Sequence, residues 1–213
     1  MKIREIYKIY SVPPNLQEHM LRVASVTKFI TEHWISVDLD KDKLVKASLL
    51  HDLGNIVKFN FDKYPHFLGA EAKNIEFWKN KQKEIISKYG DDDHKATQKM
   101  LSEIGLDESS VESISAKSFA NSVETLKSSN WSLKILLYSD MRVLPNGICS
   151  LQERLDDIMD RMPQYYNRPD INNLLESVKM IEKQIQENVN IPLGDINEKN
   201  VEINDEELLD VEI

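Results

Sequence analysis

A histidine and an aspartate stand side by side, His51-Asp52, at the end of an otherwise apolar segment. Leu44 and Ala47 precede His51 with the spacing of one helix face, so the imidazole falls on the stripe that faces the core. Burying an imidazole and a carboxylate is costly unless something compensates both, and a shared metal ion compensates both at once. The doublet therefore predicts a metal site, and Gly54 predicts where its helix stops.

Two other predicted helices carry an ionisable residue on their apolar face. His19 lies on the stripe that includes Leu16 and Val23, and Asp140 takes the place of a leucine on the stripe that includes Leu136. Taken alone, each is more often a core or edge residue with satisfied hydrogen bonds. Three helices with the same irregularity in one small domain are better explained by a common centre.

The composition fits one domain of ordinary size. The chain has 213 residues and a single cysteine, Cys149, which excludes an internal disulfide framework and favours a reducing compartment. No apolar run approaches the length of a membrane-spanning helix, and the first twenty residues show no signal peptide. We therefore expect a cytoplasmic protein without a membrane anchor.

The charge is unevenly distributed. The net charge is −9, and residues 190–213 hold eight acidic residues against one lysine, which leaves the rest of the chain close to neutral. The acidic balance argues against nucleic acid as a partner, whereas a near-neutral body tolerates a small phosphorylated substrate. We expect a helical domain over residues 1–190, and an acidic tail over residues 191–213 that is disordered or loosely docked.

The hydrophobic spacing predicts an all-α fold, since there is no sustained strand alternation and no internal repeat. Besides the helix that ends at the doublet, it predicts helices over about residues 16–34, 71–89, 94–104, 111–126, 131–144, 151–162 and 171–187. The intervening segments include an aromatic-rich link over residues 59–67 and a turn at 145–147.

The order of these residues resembles that of a known family, the HD superfamily of metal-dependent phosphohydrolases. Three segments carry the resemblance, over about residues 15–165: His19-Met-Leu-Arg22-Val-Ala, Leu49-Leu-His-Asp-Leu-Gly54, and Tyr138-Ser-Asp-Met-Arg-Val143 with Ser150-Leu-Gln-Glu-Arg154-Leu. The resemblance implies an HD-domain-like helical bundle.

The resemblance also implies that His19, His51, Asp52 and Asp140 ligate one divalent metal, with His51 and Asp52 as the catalytic residues. Two imidazoles and two carboxylates without a thiolate suit Mn, Fe, Co or Mg better than a structural zinc. The implied reaction is hydrolysis of a phosphomonoester or phosphodiester of a small, nucleotide-like molecule by a metal-bound water.

Four further residues are candidates for substrate binding or for a second metal. Arg22, one helix turn after His19, is either a phosphate clamp or a structural arginine. Many relatives carry a lysine where Asn55 stands, which puts a phosphate contact by Asn55 in question. Lys58 is a candidate for making this contact instead. His94 resembles a histidine that binds a second metal in some relatives. The alternative is that it makes only local contacts at the start of a helix, so the number of ions stays open.

A second functional class competes with the enzyme. The chain could be an HD-fold regulatory or interaction module with a structural or vestigial metal site, whose acidic tail contacts a partner. Retention of all four candidate ligands favours the enzyme. The substrate and the oligomeric state, including a homo-oligomer, are left open by the sequence, and Arg142, two residues after Asp140, is expected to form a structural ion pair.

Overall fold

The computed structural model describes residues 1–213, except for the side chains of Phe67 and Pro163, the first of which belongs to the predicted aromatic link. The predicted all-α fold is confirmed, with one small hairpin added. The α-helices are α1 Ile3–Ile9, α2 Pro14–Glu32, α3 Lys41–Leu50, α4 Ile75–Tyr89, α5 Asp93–Glu103, α6 Glu108–Ala116, α7 Ser122–Lys127, α8 Trp131–Asp140, α9 Leu151–Arg161, α10 Pro163–Tyr166, α11 Ile171–Gln186 and α12 Asp205–Leu209.

Shorter elements connect these helices. The 3₁₀ segments are Asn55–Lys58, Pro65–Asn74, Phe119–Asn121 and Leu193–Asp195, and the antiparallel strands are β1 Val143–Leu144 and β2 Gly147–Ile148. Among the described helices, none is both long and apolar enough to cross a membrane.

Helix α2 is the central element of the bundle. Pro14 starts it, because proline fits the first helical position, and it packs along α3. Its Met20 and Leu21 join an apolar cluster with α1, α3 and α5, while its Val26 and Ile30 join a second cluster with α8, α9 and α11. A polar side chain on α2 can therefore meet residues from both halves of the domain.

Two predicted helices end earlier than their apolar patterns indicate. The helix predicted over residues 111–126 is broken between α6 and α7, where Lys117 is extended and the Ser118 hydroxyl accepts a hydrogen bond from the Ala120 N–H. The helix predicted over residues 131–144 ends at Asp140, because Val143 pairs with Ile148 across the hairpin. Both breaks lie next to residues of the candidate site described below.

In the structure the acidic C-terminal segment lies on the helical body. Its apolar side chains Leu193, Ile196, Val201 and Leu208 are buried. The Ile3 N–H donates to the Val211 carbonyl oxygen (3.0 Å), which joins the two ends of the chain. Burial of the apolar residues between the acids provides the free energy that a purely acidic tail would lack.

The guanidinium of Arg142 connects this segment to α8. It donates to the carbonyl oxygens of Cys149 (2.7 Å), Leu193 (3.0 Å) and Ile196 (2.8 Å), and to the Tyr138 hydroxyl (2.7 Å). The ion pair expected for Arg142 is therefore wrong: among the described residues its partners are neutral oxygens. The buried guanidinium thus gives each of these carbonyl oxygens a hydrogen-bond donor, and the Leu193 oxygen also accepts from the Ile196 N–H (3.2 Å).

Candidate metal centre

Three separate helices bring their ionisable side chains to one point. His19 extends from α2, His51 and Asp52 form the turn that follows α3, and Asp140 is the last residue of α8. His19 Nε2 lies 3.1 Å from Asp140 Oδ1 and 3.8 Å from Asp52 Oδ2. His51 Nε2 lies 3.5 Å from Asp52 Oδ1 and 3.8 Å from Asp140 Oδ1. The convergence predicted from the apolar stripes is present in the fold.

Hydrogen bonding fixes the tautomer of His51. Its Nδ1 lies 2.7 Å from the Ser48 carbonyl oxygen, which can only accept, so the proton is on Nδ1. In the neutral ring, Nε2 then carries the lone pair, and this buried atom has no hydrogen-bond partner among the described residues. A buried acceptor with no donor is costly, and a metal ion is a suitable partner for it.

The donor set fits a divalent metal. His19, His51 and Asp140 each offer one ligand atom, and these atoms lie within 4.8 Å of one another. Asp52 adds a carboxylate at their edge. Burial lowers the pKa of His19, which favours the neutral imidazole that binds metals. Nitrogen and oxygen donors without a thiolate suit Mn, Fe, Co or Mg.

A buried lysine that is not among the predicted site residues lies against both carboxylates. Lys117 Nζ donates to Asp140 Oδ2 (2.8 Å) and to Asp52 Oδ1 (3.3 Å), and only 7% of its side chain is exposed. Lys117 continues the apolar stripe of Val111 and Ile114 at a spacing of three residues, which is the signal that could have identified it.

Lys117 keeps both carboxylates ionised. Burial raises the pKa of Asp140, but the Lys117 ammonium and the contact with His19 lower it by more, so that it lies well below its ordinary value. Burial likewise raises the pKa of Asp52, and the neighbouring positive charges, that of His51 in its protonated form and that of Lys117, bring it below the ordinary range. Asp140 presents Oδ1 to the histidines and Oδ2 to the lysine, so the ammonium does not block the histidine side.

A small cavity adjoins His51 on the side of α5 and α6. It is about 10 Å³ in volume and has room for roughly one water molecule. Two of the candidate residues, Asn55 and His94, line it. The other lining residues are His51, Asp52, Thr97, Ile114, Ser115 and Lys117.

The other two candidates have partners elsewhere. Arg22 Nη2 lies 3.5 Å from Glu18 Oε2, and its Nη1 lies 3.4 Å from the carbonyl oxygen of Pro145 in the hairpin. Lys58 forms an ion pair with Asp93 (2.6 Å) and is half-exposed, although its charge also lowers the pKa of Asp52. Neither residue lines the small cavity.

Comparison with known proteins identifies one family. The model of the HD domain matches residues 16–124, about half of the chain, and this range includes His19, His51, Asp52 and Lys117. Asp140 lies beyond the matched range, and the fold brings it to the other three ligand candidates. Searches of the curated proteins and of the solved structures give no match.

Proposed function

Because this chain belongs to the HD domain family, in which metal-dependent phosphohydrolases are typical, we propose that it hydrolyses a phosphomonoester or phosphodiester of a small, nucleotide-like molecule with a bound divalent metal. The observation that carries the proposal is the buried, unpaired Nε2 of His51, which faces His19, Asp52 and Asp140. An imidazole fixed in this tautomer is prepared to ligate a cation.

In the proposed enzyme, His19, His51, Asp52 and Asp140 hold the ion. A divalent cation at such a site supplies Lewis-acid activation of water and of a phosphoryl group. The Ser48 carbonyl fixes the orientation of the His51 ring, and Lys117 fixes that of the Asp140 carboxylate. The protein thereby sets the positions of the ligands before the substrate arrives.

The local charge favours an anionic substrate. The carboxylates of Asp52 and Asp140 together balance a divalent cation, which leaves the ammonium of Lys117 uncompensated in a buried position. A positive centre in a low-dielectric site attracts a phosphoryl group strongly. Lys117 is therefore proposed to bind a phosphoryl oxygen in addition to orienting the carboxylates.

The proposal is tested by metal removal and reconstitution. Protein stripped with a chelator and reloaded with Mn, Fe, Co or Mg should hydrolyse p-nitrophenyl phosphate, bis-p-nitrophenyl phosphate or a member of a nucleotide panel. Asp140→Asn should reduce metal content, measured by elemental analysis, and lower activity by about 100-fold or more, since changes even to residues behind the ligands cost 10- to 100-fold. Asp160→Asn, on the exposed face of α9, is the matched control.

Two results would reject the enzyme. If all four metals bind but no substrate is hydrolysed, the site is structural or vestigial and the chain is an HD-fold regulatory or interaction module. If none of the metals binds while circular dichroism shows an intact helical fold, the metal centre itself is wrong.

A further inference from the structure

The Ser115 hydroxyl is buried beside the candidate metal centre and has no hydrogen-bond partner among the described residues. Ser115 lies near the end of α6 and lines the small cavity next to His51. A serine hydroxyl inside a helix commonly donates a hydrogen bond to the backbone carbonyl one turn earlier, as the hydroxyls of Ser25 and Ser48 do. Ser115 instead keeps its donor available at the cavity.

Several groups that line the cavity can donate hydrogen bonds. They include the hydroxyls of Ser115 and Thr97, the side-chain amide of Asn55, the imidazole of His94 and the ammonium of Lys117. The available space suits a single oxygen atom. Lys117 brings a positive charge to this space and Asp52 a negative one. Because the divalent cation of the proposed centre would balance the carboxylates of Asp52 and Asp140, the charge of Lys117 favours an anionic oxygen over a second cation here.

We infer that Ser115 is a substrate-binding residue that donates a hydrogen bond to a non-bridging phosphoryl oxygen seated in this cavity. The inference rests on the proposed phosphohydrolase function and adds a specific contact to it. The same oxygen chemistry belongs to the phosphoryl group of the substrate and to the inorganic phosphate released from a monoester. Free phosphate should therefore compete with substrate through Ser115.

The test compares Ser115→Ala with Ser113→Ala in the Mn-loaded protein. Ser113 lies on the same helix, but it contacts Asn130 and does not line the cavity. We expect Ser115→Ala to raise the KM for p-nitrophenyl phosphate and the inhibition constant of inorganic phosphate, each by about tenfold, as expected for the loss of a hydrogen bond to a charged group. Metal content should be unchanged, and Ser113→Ala should match the wild type.

A second measurement keeps the inference independent of turnover. Equilibrium dialysis with labelled inorganic phosphate reports binding whether or not the chosen substrates are hydrolysed. If the wild type binds phosphate and Ser115→Ala binds it more weakly, the subsite is supported even when no activity is found. In that case only the proposed reaction fails. Equal phosphate binding by the wild type and Ser115→Ala overturns the subsite and leaves the proposed function intact.

Two further outcomes also overturn it. If elemental analysis finds two Mn ions per chain and Ser115→Ala loses one of them, the cavity binds a cation rather than a phosphoryl oxygen. If the Mn-loaded wild type binds no phosphate, the cavity is not an anion site. Circular dichroism and the melting temperature show whether each variant is folded.

Discussion

Gly54 packs closely against Thr97 of α5. The Gly54 N–H donates to Thr97 Oγ1 (3.0 Å), and a β-carbon placed on Gly54 would lie 2.6 Å from the backbone nitrogen of Thr97. The same β-carbon would lie 3.0 Å from the carbonyl carbon of Ala96. Because these neighbours belong to the backbone of α5, they cannot rotate away, and the turn that carries His51 and Asp52 is held against this helix.

We therefore predict that Gly54→Ala destabilises the protein by about 1–3 kcal/mol, the usual cost of overpacking. The turn must move away from α5, so binding of Mn should weaken as well. Chemical denaturation measures the free energy of unfolding, and calorimetric titration measures Mn affinity.

Gly194→Ala is the control, because a β-carbon at Gly194 has no heavy atom within 4 Å. Its stability should differ from that of the wild type by less than about 0.5 kcal/mol. If Gly54→Ala is as stable as Gly194→Ala, close packing of the turn on α5 does not position the doublet.

The sequence alone predicts the all-α fold and the four residues that converge. It does so because an ionisable residue on an apolar helix face is visible in the spacing, as for His19 and Asp140. The helix breaks are missed, since Lys117 and Val143 continue the apolar stripes of the preceding helices although the chain leaves the helix there. Local hydrogen bonding decides those ends, and periodicity does not report it.

Long-range contacts are the other part that sequence reasoning misses. The partners of Arg142 include carbonyl oxygens of Leu193 and Ile196, more than fifty residues later in the chain. An alternation of acidic and apolar residues does not identify the surface on which a segment packs. The sequence likewise does not show that the Ser115 hydroxyl lacks a hydrogen-bond partner, because the partners of a hydroxyl depend on the final fold.

Replacing Arg142 should detach the C-terminal segment from α8. In Arg142→Lys the shorter, non-planar ammonium cannot reach all of the oxygens that the guanidinium satisfies, so at least one of the carbonyls of Cys149 and Ile196 loses its donor. We expect a loss of about 2–3 kcal/mol in the free energy of unfolding, with faster hydrogen exchange over residues 193–201. Arg168→Lys, which alters a partly exposed pair with Asp170, should leave both measurements unchanged. Equal exchange in the two variants would show that the segment docks without Arg142.

Asp107 should stabilise the protein in a pH-dependent way. It caps α6 by accepting a hydrogen bond from the Ser110 N–H (3.1 Å), and it pairs with Lys43. Burial raises the pKa of Asp107, but the hydrogen bonds from Lys43 and Ser110 outweigh it, and the pKa lies below its ordinary value. Because the folded pKa is the lower one, the stabilisation is complete above about pH 4 and is lost as the pH falls through the folded pKa.

We accordingly expect Asp107→Ala to lower the melting temperature by about 2–4 °C at pH 7, which corresponds to the loss of roughly 1 kcal/mol from a helix cap. The difference from the wild type should shrink on acidification below pH 4. Thermal unfolding at several pH values measures it, with Asp62→Asn as the exposed control. A difference that does not change between pH 7 and strongly acidic solution would show that the carboxylate charge does not contribute.

Lys117→Met should separate metal binding from hydrolysis. Removing a positive charge beside the carboxylates of Asp52 and Asp140 strengthens their attraction for a divalent cation, so Mn affinity should be retained or increased. The positive centre that favours a phosphoryl group is lost at the same time, and hydrolysis should fall by about 10- to 100-fold. Lys134→Met is the matched control, because Lys134 is also buried but donates to the Gln184 amide oxygen instead of to a carboxylate of the site. If Lys117→Met instead loses Mn and keeps its full activity per bound ion, Lys117 only supports the carboxylates and does not contact the substrate.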